Sequence, residues 1–205
     1  LARAQLAQGD VSAATADFEK VDATQVRAEL YEPVRWQLKL AARDYDAMLT
    51  GLAKDVPGLA PAERLTLLAR AQLAEEDAAG ARASLDAAVA ADPKYGEARA
   101  LRGLALAFAG DAPGALAYLD AAAKELPDSA AIRRAIGDVQ LRGGNLPAAE
   151  TAYRAALERS DPRSDLPAYI GAASGLGDAL LGQNNLDDPA KVVEKLGKST
   201  PGSGV

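Results

Sequence analysis

The sequence predicts an all-α chain of stacked antiparallel helix pairs, and three observations carry that prediction. About a quarter of the 205 residues are alanine and only 4% are aromatic, so the core is built from small side chains that suit closely approaching helices. Val, Ile and Thr nowhere alternate over five or more residues, which leaves no strand pattern. The chain also repeats itself. Leu1-Ala-Arg-Ala-Gln-Leu-Ala7 recurs unchanged as Leu68-Ala-Arg-Ala-Gln-Leu-Ala74, an offset of 67 residues. One small residue marks the period: Ala14, Ala47, Ala81, Ala115 and Ala149 follow one another at intervals of 33, 34, 34 and 34.

The phase predicts each element in order. A first helix of every pair carries a small residue, at Ala2, Ala69, Gly103, Gly137 and Gly177, which lets its axis approach a neighbour closely. A polar turn follows, at Gly9-Asp10, Gly110-Asp111, Gly144-Asn145 and Asn184-Asn185, where glycine ends one helix and Asp or Asn caps the next. Glu76-Asp77 departs from that turn pattern. The second helix carries the marker alanine and, four residues on, Phe18, Gly51, Leu85, Leu119 or Tyr153. Pro113 and Pro147 fall in its first turn, where a missing N–H costs nothing. The resulting units span about 1–28, 29–61, 62–95, 96–129, 130–163 and 170–203. The second is the most divergent: Trp36 stands at the small position and a residue is lost near Asp44-Tyr45-Asp46-Ala47. Either that helix pair splays apart or its register is offset. The extra residues at 160–166 form a longer loop or extend the next helix, and Pro189 stands where the sixth unit should carry alanine.

A 34-residue period with this skeleton resembles the tetratricopeptide repeat family over nearly the whole chain. The resemblance implies a right-handed α-solenoid, a single array over 1–196, and the Gly-, Ser- and Pro-containing composition of 197–205 reads as a flexible tail or linker. The resemblance also implies a concave groove lined by the first helices, A, of each pair, which takes segments of other proteins. The groove positions of the family fall here on Arg3, Arg70, Leu104, Asp138 and Asp178, on Thr66, Ala100, Arg134 and Ser174, and on Leu6, Leu73, Phe108, Leu141, Arg142 and Leu181. Arg70, Arg134 and Arg142 form a basic group suited to an acidic peptide. Leu73, Leu104, Phe108 and Leu141 form an apolar strip suited to a hydrophobic anchor. Some members of the family clamp acidic chaperone tails through Lys and Asn at fixed slots. Those slots hold Thr66, Arg70, Ala100, Leu104, Arg134 and Asp138 here, so no such clamp is expected.

Chemistry other than binding finds little support. The chain has no Cys and no His, which removes thiolate nucleophiles, the commonest metal ligand and the usual general base. A formal charge of -6 disfavours the phosphate backbone of nucleic acids. No apolar run reaches the ~18 residues of a membrane helix. Gly171-Ala-Ala-Ser-Gly175-Leu-Gly177 lacks the spacing of a phosphate loop, and Asn184-Asn-Leu-Asp-Asp188 lacks the glycine and terminal glutamate of a calcium loop. No enzyme activity, cofactor or metal is expected. The expected function is a protein-interaction scaffold with a protein or peptide partner. The Ala-, Leu- and Arg-rich array resembles bacterial envelope arrays of polysaccharide export and exosortase-type sorting, which implies a periplasmic or envelope setting. A cytosolic docking module or a rigid spacer is the alternative. Entry at Leu1 inside a helix A, without Met or a leader, reads as a piece of a longer array.

Overall fold

The computed structural model describes residues 2–162 and 166–183. Among these, all regular structure is helical: eleven α-helices and one 3-10 turn, Ala23–Gln25. The chain divides into two compact units, Leu1–Ala105 and Leu106–Val205. Expectations placed on residues 184–205, namely the turn at Asn184, Pro189, the second helix of the sixth unit and the flexible tail, lie outside the described residues.

The first unit holds α1 (Ala2–Ala7), α2 (Val11–Phe18), α3 (Ala28–Ala41), α4 (Tyr45–Leu52), α5 (Pro61–Ala74), α6 (Ala78–Ala91) and most of α7 (Gly96–Phe108). Consecutive helices pack as pairs, α1 on α2, α3 on α4 and α5 on α6, which is the arrangement of an α-solenoid. Each hairpin turn is built alike. The residue before the cap adopts a left-handed conformation, and the following Asp accepts a hydrogen bond from the third residue of the new helix. Asp10 takes Ala13 N–H, Asp44 takes Ala47 N–H and Asp77 takes Gly80 N–H. Gly9 fills the left-handed position at φ 80, but Arg43 (φ 57) and Glu76 (φ 61) fill it in the next two turns. The Glu76 turn therefore keeps the common geometry and departs only in residue type.

Those caps correct the register of the second pair. Counted from its cap, Ala14 is the fourth helical residue of α2, and so is Ala81 in α6; in α4 that place belongs to Met48, not Ala47. Met48 is fully buried, whereas Ala47 is only partly so. Leu52, not Gly51, is then the counterpart of Leu85. The missing residue lies beyond α4, in the connection 53–60, rather than in the turn. There Arg64 closes the end of α4, donating from Nη1 to the Leu52 carbonyl at 2.5 Å and pairing with Asp55 at 3.1 Å.

The pair does not splay. Trp36, 4% exposed, clusters with Met48, Leu52, Leu59, Leu67 and Ala71. Its ring lies against Gly51: a Cβ placed there would overlap Trp36 Cη2 and sit 3.1 Å from Cζ2. Its indole N–H donates to Glu32 at 2.8 Å. The large residue at the small position of the first helix is accommodated by Gly51, one place before Leu52 on the second. The same unit carries two more apolar clusters, Ala14 with Val34 and Leu38, and Ala69 with Ala81 and Leu85.

The second unit holds the end of α7, then α8 (Ala112–Glu125), α9 (Ala130–Arg142), α10 (Leu146–Arg159) and α11 (Leu166–Gly182). Its turns place glycine in the left-handed position, at Gly110 and Gly144. Asp111 caps α8 through Gly114 N–H, while Asn145 precedes α10 without a side-chain cap bond. Pro113 and Pro147 stand in the first turns of α8 and α10. Ala115, Leu119 and Ala149 are fully buried. At 17 residues, α11 exceeds the 13 of α9, so four of the added residues extend the helix.

Candidate functional site

The groove positions fall into two sets, one in each unit. In the first unit most are already committed. On α5, Thr66 is buried and donates to the Ala62 carbonyl at 2.7 Å, within its own helix. Arg70 forms an ion pair with Glu97 of α7, and the Tyr95 hydroxyl donates to the other oxygen of Glu97 at 3.0 Å. Burial, then the Glu97 charge, pushes the Tyr95 hydroxyl well above its ordinary pKa. Glu63 completes the group. Its burial, and then the repulsion of Glu97, raises its carboxyl above the usual carboxylate value, with Arg3 pulling the other way. Leu73 turns inward against Ala69, Ala81 and Leu85, and Leu6 does the same against Ala14, Val34 and Leu38. Ala100 is buried, Leu104 half-buried and Arg3 exposed.

In the second unit the positions lie on α9 and α11, which pack together and both pack on α10. Tyr153 of α10 organises them. Its ring is 1% exposed and lies between two glycines. A Cβ at Gly137 of α9 would sit 2.8 Å from Tyr153 Cδ1, and one at Gly175 of α11 would overlap the ring. Only glycine on both helices lets the aromatic ring reach that far. Its hydroxyl donates to Asp138 Oδ1 at 2.7 Å. Burial, then the Asp138 bond, holds that hydroxyl protonated, so it acts as a donor.

Arg134, Asp138 and Arg142 follow at four-residue steps along α9, where neighbouring opposite charges ordinarily meet. Here they do not. Asp138 is engaged by Tyr153, and neither Arg134 nor Arg142 forms an ion pair among the described residues. Arg134 lies over Gly171 of α11, with Nη1 3.2 Å from where a Cβ would be. The Arg142 guanidinium stacks on Phe108, 4.1 Å from the ring centroid, and that ring is 61% exposed. Asp178, Ser174 and Leu181 line the exposed side of α11. Leu141 turns inward against Tyr153, Leu176 and Leu180. The sequence-predicted strip therefore does not act as one surface: Leu73 and Leu141 serve cores, and Phe108 stands out with Arg142.

Gly177 behaves differently from Gly137. No described residue lies within 4 Å of a Cβ placed there, and Gly175 makes the close approach instead. Sequence reasoning missed the Tyr153–Asp138 bond and the Glu63–Tyr95–Glu97 group. Tyr153 was visible as the largest residue at its repeat position, and two glycines facing it were the available signal. Among the described residues no cluster of three metal-ligating side chains occurs. No described helix is long and apolar enough to cross a membrane.

A family model described as tetratricopeptide repeat matches residues 66–130, 106–165 and 134–203. The matches run together over 66–203, two thirds of the chain. No curated protein matches at significant similarity.

Proposed function

Because the chain belongs to the tetratricopeptide repeat family, a family of protein-interaction scaffolds without catalytic activity of their own, we propose that it holds a segment of a partner protein against its A helices. The observation that supports the reading most is the α9/α11 face, where two guanidinium groups and Asp178 stand without ion-pair partners. Charged groups that fold without neutralising one another keep their hydrogen-bonding capacity for a ligand. We further assign the partner to a bacterial envelope assembly or secretion system, supported by the Ala-, Leu- and Arg-rich, cysteine-free composition. A cytosolic docking module is the competing setting.

Site-specific photo-crosslinking in the native cell tests both parts. A photoreactive residue at Ser174, on the exposed side of α11, should capture a protein partner. The same residue at Glu158, exposed on α10, should not. Capture only from Glu158 would move the binding surface, and a cytosolic adduct would overturn the envelope assignment.

A further inference from the structure

We infer that the α9/α11 face selects an extended acidic segment whose two carboxylates lie four residues apart, one for Arg134 and one for Arg142. The inference rests on the scaffold reading and adds the chemistry of the partner. Of the three arginines of the basic group, Arg70 is neutralised by Glu97 within the fold. Arg134 and Arg142 are not neutralised, and the reason is local. Asp138 sits between them with four residues to either side, the spacing at which a helix normally forms ion pairs. The Tyr153 hydroxyl holds Asp138 at 2.7 Å instead. Two guanidiniums are thereby left available. Arg134 rests on the bare backbone of Gly171, and Arg142 is stacked on Phe108 with the hydrogen-bonding edges of its plane free.

The spacing sets the ligand. Eight helical residues separate the two arginine backbones by about 12 Å along the axis. In an extended peptide, residues four apart are about 13 Å apart and point to the same side. Residues three apart face opposite sides, so they do not serve. Asp178 is the opposing term: exposed and unpaired on the same face, it repels an acidic ligand and limits its affinity.

The test is selection of a random 12-residue phage-displayed peptide library on the intact chain, followed by fluorescence anisotropy on synthetic versions of the selected peptides. Selected peptides should be enriched in Asp or Glu pairs at the four-residue spacing. Arg134→Gln and Arg142→Gln should each weaken such a peptide about two- to fivefold, within the range for exposed charged pairs. Asp178→Asn should strengthen it. Tyr153→Phe, which keeps the ring but releases Asp138 to pair with an arginine, should weaken it without touching either guanidinium, while the circular dichroism spectrum stays unchanged. Selected peptides that are basic, or apolar without the acidic pair, would overturn this inference and leave the scaffold reading standing. Recovery of no peptide above background would count against both.

Discussion

Gly51→Ala is the sharpest test of the packing described for α3 and α4, because two physical effects give it opposite signs. In a helix interior, exchanging glycine for alanine stabilises by about 1 kcal/mol through reduced backbone entropy. The structure adds a steric term. The new methyl would overlap Trp36 Cη2 and lie 3.1 and 3.2 Å from two further ring carbons. The ring has little room to give, being only 4% exposed and tied to Glu32 by its indole N–H. Overpacking of this kind costs about 3 kcal/mol at the upper end of its range. The net expectation is a loss of about 2 kcal/mol, or roughly 4–8 °C in a chain of this size. Trp36 is the only tryptophan, so its fluorescence during urea unfolding reads the site directly. A double-mutant cycle isolates the contact. With Trp36→Leu in the background, followed by circular dichroism, Gly51→Ala should stabilise by about 1 kcal/mol, a coupling of roughly 3 kcal/mol with reversed sign. If Gly51→Ala raises stability with Trp36 present, the packing of the Trp36 ring on Gly51 is refuted.

Three further outcomes are expected. Ala115→Leu and Gly137→Leu should each cost about 2–3 kcal/mol, because the first overfills a fully buried site and the second drives a side chain into the Tyr153 ring; thermal melts equal to the parent would show the repeat packing to be wrong. Glu76→Gly should stabilise by about 0.5–1 kcal/mol, since relief of the left-handed backbone at φ 61 outweighs the entropy lost by glycine; an unchanged urea midpoint would refute the strain. The Glu63 carboxyl is raised in the fold, so its ionised form is disfavoured there and its favourable contribution is lost as pH rises through the folded value. Glu63→Gln should accordingly stabilise at pH 7 and lose that advantage below the ordinary value of 4.5, read from paired melts at pH 7 and pH 4.

The sequence made the helical class and the repeat legible because both are periodic, and periodicity survives substitution at any one position. The turns were legible for the same reason wherever glycine marked them. They became ambiguous where Arg43 and Glu76 took the left-handed place, since a pattern of residue types cannot show a backbone angle. The register of the second pair failed on a related ground. A small residue was expected beside the crossing, so Ala47 attracted the assignment; the fold instead buries Met48 and accommodates Trp36 with Gly51. Complementarity between the two helices was kept by a glycine one place before the large residue Leu52, and a reading that follows one position at a time misses such an adjustment. At the candidate site, the residues themselves were legible and their pairings were not. Nothing local to Arg70 distinguishes it from Arg134; the difference lies in Glu97, twenty-seven residues away along the chain.

That difference gives the two sets of A-helix charges different capacities. In the first unit, Arg70 meets Glu97, and Arg102 meets Asp86 at 2.5 Å, so each cation is spent on joining neighbouring helices. A ligand carboxylate arriving there competes with an intramolecular partner that is already held in place, and gains little. In the second unit, a single buried tyrosine hydroxyl changes the balance. Tyr153 holds Asp138 Oδ1, α9 forms neither of the four-residue ion pairs that its spacing allows, and on our inference the two guanidiniums serve an external carboxylate. The ring that does this is buried because Gly137 and Gly175 admit it, so the helix-crossing contact and the availability of the arginines have one cause. A change that expels Tyr153 from that crossing should therefore lower stability and close the face together. Tyr153→Phe separates the two, because it keeps the ring in the crossing and alters only the face.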